Sequence, residues 1–220
     1  MNLGLLHARR ATLGAVTALL ALWALVAHPQ PRPPAPGASA PPEAAAAPSA
    51  PSASSQRLFE AARGSLLQVR VLLKSQSSQR SVGSGFFVGP NRIVTNYHVV
   101  SDYALEPDRY QLTYQLADGR TGALDLLAID VRHDLAVVAL SGDAAAAARL
   151  TGTGLTFRPA TLPLARGEPI YSMGNPLDVG FAVVSGTYNG LVERSYYPNI
   201  FFGGALSAGM SGGPAVDSAG

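Results

Sequence analysis

Downstream of Gln56 the apolar residues fall into short runs separated by polar, glycine- and proline-containing breaks, with almost no helical periodicity. One helix is expected first, capped by Ser55, running to about Arg63 and ended by Gly64. Leu66 to Leu73 alternates as a strand, Lys74 to Arg80 is a polar hairpin loop, and Val82 to Val88 returns. Gly89-Pro90-Asn91 then turns the chain into Arg92 to Thr95. Further strands are expected at Tyr110 to Leu116, Gly122 to Val131 and Leu135 to Leu140, with Asp118-Gly119 as a turn. A second group follows at Pro169 to Met173, Ala182 to Gly186, Tyr188 to Val192 and Asn199 to Ala205. Ser141 to Leu150 is Ala-rich and reads as a connector between the two groups. Strands at this spacing predict an all-β fold built as an antiparallel barrel or sandwich.

The first 55 residues follow a different pattern. Arg9 and Arg10 precede Ala11 to Ala27, an uncharged and mostly apolar run of 17 residues. Positive charge followed by an apolar run is the pattern of an export signal, and 17 residues lie at the lower edge of what spans a bilayer. Residues 1–28 are therefore a signal peptide or an N-terminal membrane anchor. His28, Pro29 and Pro31 after Ala27 leave no good small-x-small cleavage site, which favours an anchor with its N-terminus inside. Residues 29–55, rich in Pro, Ala and Ser, make an extended linker that cannot build a core. The expected folded domain is 56–220, with a first barrel at about 64–140 and a second at about 160–220.

Charge changes the picture little. The formal +2 comes from the export region. Setting aside Arg9, Arg10, Arg32 and Glu43 leaves 13 basic and 13 acidic residues in 56–220. No basic stripe with interleaved aromatics is present, so nucleic acid is not an expected partner. Zero cysteines exclude disulfide scaffolds and thiol catalysis. His98 and His133 lack the H-E-x-x-H pairing and the acidic residues are scattered, so neither metal nor cofactor is expected.

The candidate chemistry lies in three places. Gly209-Met210-Ser211-Gly212-Gly213-Pro214 sets a serine on a glycine-rich turn, where its hydroxyl projects and nearby N–H groups point the same way. His98 follows the strand ending at Thr95, and Asp134 opens the strand Leu135 to Leu140. A serine hydroxyl is a weak nucleophile alone. A histidine that takes its proton, and a carboxylate that orients the histidine, make it competent for acyl transfer. Each residue has an ordinary structural reading: a strand-end histidine, a turn aspartate, a flexible glycine turn. The order His, Asp, Ser in three specific contexts favours the triad. His133 competes as the base, but it adjoins Asp134, so the two side chains should point apart. A lipase-type hydrolase would also satisfy G-x-S-x-G, yet it needs βα alternation and a histidine after the serine.

The segments Gly83-Ser84-Gly85-Phe86-Phe87-Val88, Ile93-Val94-Thr95-Asn96-Tyr97-His98, Asp134-Leu135-Ala136-Val137-Val138, Gly174-Asn175-Pro176 and Gly209 to Pro214 resemble those of bacterial trypsin-like serine peptidases, in particular the HtrA/DegP type. The resemblance implies two perpendicular six-stranded β-barrels with the cleft between them. His98 and Asp134 would come from the first, Ser211 from the second, and the oxyanion hole from the N–H groups of Gly209 and Ser211. It implies polypeptide substrates in the periplasm or cell envelope and suggests a homotrimer. Phe202-Gly203-Gly204 departs from the Thr-Asp-Ala that often precedes the serine loop in HtrA proteases, and Met210 replaces the usual Asn or Asp. Ala205 stands where the fold usually sets the floor of the primary specificity pocket, which predicts a small or medium apolar preference. The resemblance further implies strands after the serine loop, so the second barrel is expected to be C-terminally truncated and the activity of the short chain weak. A non-catalytic module that binds exposed peptide segments is the alternative.

Overall fold

The computed structural model describes residues 52–142 and 154–220. The expected signal or anchor, the linker up to residue 51 and most of the Ala-rich connector lie outside the described residues. Among the described residues no helix is long and apolar enough to cross a membrane.

Helix α1 spans Ala53–Ala62 and is capped by Ser52 rather than Ser55. The Ser52 hydroxyl accepts the Ser55 N–H at 3.1 Å, so the first three helical residues, 53–55, come from the stretch read as linker. A 3-10 turn at Arg63–Ser65 leads into β1, Leu66–Leu73. Then come β2 (Ser78–Gly89), β3 (Arg92–Thr95), helix α2 (Tyr97–Leu105), β4 (Tyr110–Leu116), β5 (Thr121–Asp130) and β6 (Leu135–Leu140). These six strands close into an antiparallel barrel in the order β1-β2-β3-β6-β5-β4. Alternation explains the closure. In β4, Tyr110, Leu112, Tyr114 and Leu116 point inward and are buried while the residues between them are partly exposed. Val69, Val71, Ile93 and Val138 complete the interior at 0% exposure.

The second group comprises β7 (Pro169–Gly174), β8 (Ala182–Leu191), β9 (Ile200–Gly203) and β10 (Ala215–Val216). It forms a four-stranded antiparallel sheet, β10-β7-β8-β9. The two strands expected at Ala182–Gly186 and Tyr188–Val192 are one continuous β8. Gly186 does not turn the chain; it lies against the Phe202 ring of β9, where a Cβ would come within 2.6 Å of a ring carbon. A second apolar cluster joins Leu58 and Ala62 of α1 to Leu66, Tyr171, Met173 and Val216. The molecule is thus mostly β, with a closed six-stranded barrel and a second sheet compatible with a second barrel.

Helix α2 is the element the periodicity did not announce. Its Val99 and Val100 are buried in the barrel core with Tyr103 packed alongside, a narrow apolar stripe over nine residues. Asn96 occupies its N-cap position but makes no side-chain cap bond. Its Nδ2 instead donates to the Asp134 carbonyl at 2.8 Å.

Candidate active site

His98 is the second residue of α2, and Asp134 immediately precedes β6. Strands β3 and β6 are paired with Thr95 opposite Ala136, which brings the two segments together. Asp134 has φ +54°, a left-handed conformation uncommon for a residue with a Cβ. Four hydrogen bonds accompany it. The Asp134 carbonyl accepts the Tyr97 N–H at 3.1 Å and Asn96 Nδ2 at 2.8 Å. Its carboxylate accepts the His98 N–H on Oδ1 at 2.8 Å and meets His98 Nδ1 with Oδ2 at 2.7 Å. A carboxylate only accepts, so the proton lies on Nδ1, and Nε2 keeps the lone pair a base requires. The carboxylate is not buried: the side chains of His98 and Asp134 are 56% and 44% exposed.

His133 is turned away from this pair. Its Nδ1 meets Asp130 Oδ2 at 2.7 Å, and that bond is the main cause holding the Asp130 carboxyl below its ordinary range.

Ser211 belongs to the segment between β9 and β10, but the barrel holds it. The Ser84 N–H on β2 donates to the Ser211 carbonyl at 2.7 Å. Gly212, at φ +84°, presses its Cα against the Ser84 carbonyl and Thr95 Oγ1, leaving no room for a side chain. Thr95 Oγ1 donates to the same Ser84 carbonyl at 2.7 Å. The Ser84 hydroxyl, fully buried, donates to the Gly209 carbonyl at 2.7 Å and accepts the Asn175 N–H at 2.9 Å. One small polar side chain therefore links β2, the turn after β7 and the serine loop. Gly83-Ser84-Gly85 read as a strand with close backbone approach, and that is its form here. The roles of Ser84, Thr95 and Asn175 went unread. Their signal was small polar residues set among apolar ones, which are buried only when hydrogen-bonded.

The loop leaves the N–H groups of Gly209 and Ser211 without a protein acceptor among the described residues, as an oxyanion hole requires. Likewise, no hydrogen bond joins Ser211 Oγ to the His98 ring among these residues, whereas His98 and Asp134 are paired. Beside Ser211 is a cavity of about 470 Å³, walled by Ile170, Ile200, Phe202, Leu206, Met210 and Ala215 among others. Ala205 is exposed and not part of this lining.

Comparisons with known proteins agree with this architecture. The chain is 33% identical over 146 residues to a protein of Pseudomonas savastanoi pv. phaseolicola named a probable periplasmic serine endoprotease, DegP-like, covering 66% of this chain and 28% of that one. It is 31% identical over 141 residues to the human serine protease HTRA3, covering 62% and 31%. The chain thus spans less than a third of the length of these curated relatives. Its fold matches a crystal structure of Deg5 with a TM-score of 0.57 at 23% identity, over 76% of this chain and 80% of that one. A serine endoprotease from Yersinia pestis matches with a TM-score of 0.58 at 22% identity, over 77% and 55%. Residues 83–220, from the strand that holds the serine loop to the last residue, match the model of the trypsin-like peptidase domain, and the chain belongs to that family.

Proposed function

We propose that this chain is a serine endopeptidase domain acting through Ser211, His98 and Asp134. The observation that carries the reading is the double grip of Asp134 on the His98 N–H and Nδ1, which leaves Nε2 to act as the base. Ser211 attacks the scissile carbonyl as His98 takes its proton, and the Gly209 and Ser211 N–H groups stabilise the oxyanion. His98 then protonates the leaving amine, and water, activated by the same ring, releases the acyl-enzyme. The Ser211–His98 hydrogen bond forms when substrate binds, as hydrogen bonds at unliganded sites commonly tighten on complex formation.

The cavity walls of Ile200, Phe202 and Leu206 support a preference for small or medium apolar side chains over Lys or Arg. Phe202 in this lining limits the size of the side chain that fits. Residues 1–28 act as signal or anchor and 29–51 as a spacer, placing the domain in the cell envelope, where unfolded polypeptides are its substrates and a homotrimer its assembly. The name of the Pseudomonas relative supports this location.

The test is fluorophosphonate labelling and casein cleavage by the chain and its Ser211→Ala variant. Both activities are expected to vanish in the variant, and labelling that persists overturns the reading. That no hydrogen bond joins Ser211 Oγ to His98 among the described residues also favours a second reading, a peptide-binding module without catalysis. Under it, the unaltered chain binds unfolded casein without cleaving it, and Ser211→Ala binds equally well.

A further inference from the structure

Leu177 and Asp178 are consecutive non-glycine residues in the left-handed region, at φ +53° and +58°. Residues with a Cβ avoid this conformation, and two in a row persist only where neighbours impose it. They lie in the turn after β7. Its ends are tied by Ser84 Oγ, which accepts the Asn175 N–H, and by Asn175 Oδ1, which accepts the Gly180 N–H at 2.9 Å.

Two features of this turn face opposite ways. Towards the barrel, the Asp178 carboxylate accepts Gln68 Nε2 at 2.6 Å and both oxygens meet Arg70 Nη2, at 2.9 and 3.1 Å. Gln68 is fully buried, and its Oε1 accepts from Arg70 Nε. The three side chains satisfy one another. Towards the serine loop, the Leu177 N–H donates to the Ala208 carbonyl at 2.8 Å, and Gly209 packs against the Asn175 carbonyl too closely to carry a Cβ.

In a trans peptide the carbonyl and the following N–H point in opposite directions. Anchoring the Ala208 oxygen on Leu177 therefore turns the Gly209 N–H away from the turn, where it has no protein acceptor. We propose that Gln68, Arg70 and Asp178 form a clamp between barrel and turn that sets the plane of the Ala208–Gly209 peptide and so aims the Gly209 N–H. These are positioning residues; none touches the reacting atoms. The inference rests on the peptidase reading for its catalytic meaning, but its structural content stands apart from it.

The experiment uses the full chain with Asp178→Ala, Asp178→Asn and, as a control, Asp118→Ala at the exposed Asp118–Arg120 pair. Amide exchange at Leu177 and Met210, whose N–H groups donate to the Ala208 and Ser207 carbonyls, is expected to quicken about ten-fold in Asp178→Ala, as for a lost hydrogen bond to a charged group. Asp178→Asn, which keeps one acceptor for Gln68, gives a smaller change, Asp118→Ala none, and the barrel strands keep their protection. On a peptide ester, kcat is expected to fall about ten-fold with KM within about two-fold, because the lost donor acts in the transition state. Unchanged exchange at Leu177, or a loss confined to KM, overturns the clamp. Faster exchange in a chain whose Ser211 never labels leaves the clamp standing and overturns the peptidase reading instead.

Discussion

At the scale of single residues, polar atoms at the site have partners that leave little freedom. Asp134 accepts four bonds from three consecutive residues, Asn96, Tyr97 and His98, so its carboxylate orients the ring through both main chain and side chain. Asp134→Asn offers an N–H to the ring and favours the tautomer with the proton on Nε2. Peptide-ester hydrolysis should then fall on the order of 10⁴-fold in kcat with the fold intact by circular dichroism. Ser84→Ala acts differently. It strands the Gly209 carbonyl and the Asn175 N–H in a buried place, and urea denaturation should show a loss of about 2–4 kcal/mol. Phe202→Ala opens the cavity beside Ser211, so peptides with larger apolar side chains should gain in kcat/KM relative to smaller ones.

At the scale of elements, the site depends on how closely β2, α2 and the serine loop approach. Gly83 is where the three meet: a Cβ there would lie 2.6 Å from one Val99 methyl and 2.8 Å from the Ser211 carbonyl. Gly83→Ala should cost about 1–3 kcal/mol in chemical denaturation, an overpacking effect, and slow fluorophosphonate labelling of Ser211 as the loop is pushed outward. Much of this layout was legible beforehand. Leu66–Leu73, Arg92–Thr95, Tyr110–Leu116 and Leu135–Leu140 have the bounds that alternation and turn residues predicted, because one face of each fills a core. The pairing of His98 with Asp134 was legible too, because a histidine base needs a carboxylate to orient it. Helix α2 was not, since two buried valines and a tyrosine in nine residues make too short a stripe to register. Continuous β8 was missed because Gly186 and Tyr188 resemble a turn until Phe202 is seen covering the glycine. Gln68, Arg70 and Asp178 lie 108 and 110 residues apart in their pairings, and such contacts leave no local signature.

At the scale of the whole molecule, ion pairs cross between distant segments. Asp178 joins the turn after β7 to β1, and Arg158 joins Glu168 to Asp217 beyond β10. Hydrogen bonds hold these carboxyls below their ordinary values, led by Gln68 for Asp178, the Ala165 N–H for Glu168 and the Ala219 N–H for Asp217. A carboxyl more acidic in the folded than the unfolded chain stabilises the fold above its unfolded pKa, and that contribution is lost as pH falls through the folded one. Melting temperature should therefore hold level above about pH 5 and decline as pH drops through and below 3.8, the ordinary aspartate value. Asp178→Asn should flatten part of that decline in a thermal-melt series against pH.

The seating of the serine loop on the barrel carries one more consequence. Ser211 and Gly212 rest on Ser84 and Thr95, in the same barrel that supplies His98 and Asp134, whereas Ile200 and Phe202 come from an edge strand of the other sheet. The groups proposed to break the bond thus lean on the barrel, with the turn after β7 bracing the serine loop as well, while much of the surface proposed to choose the substrate belongs to the second sheet. Replacements along β9 should therefore change which side chains are accepted while leaving the His98–Asp134 pair and the seating of Ser211 untouched.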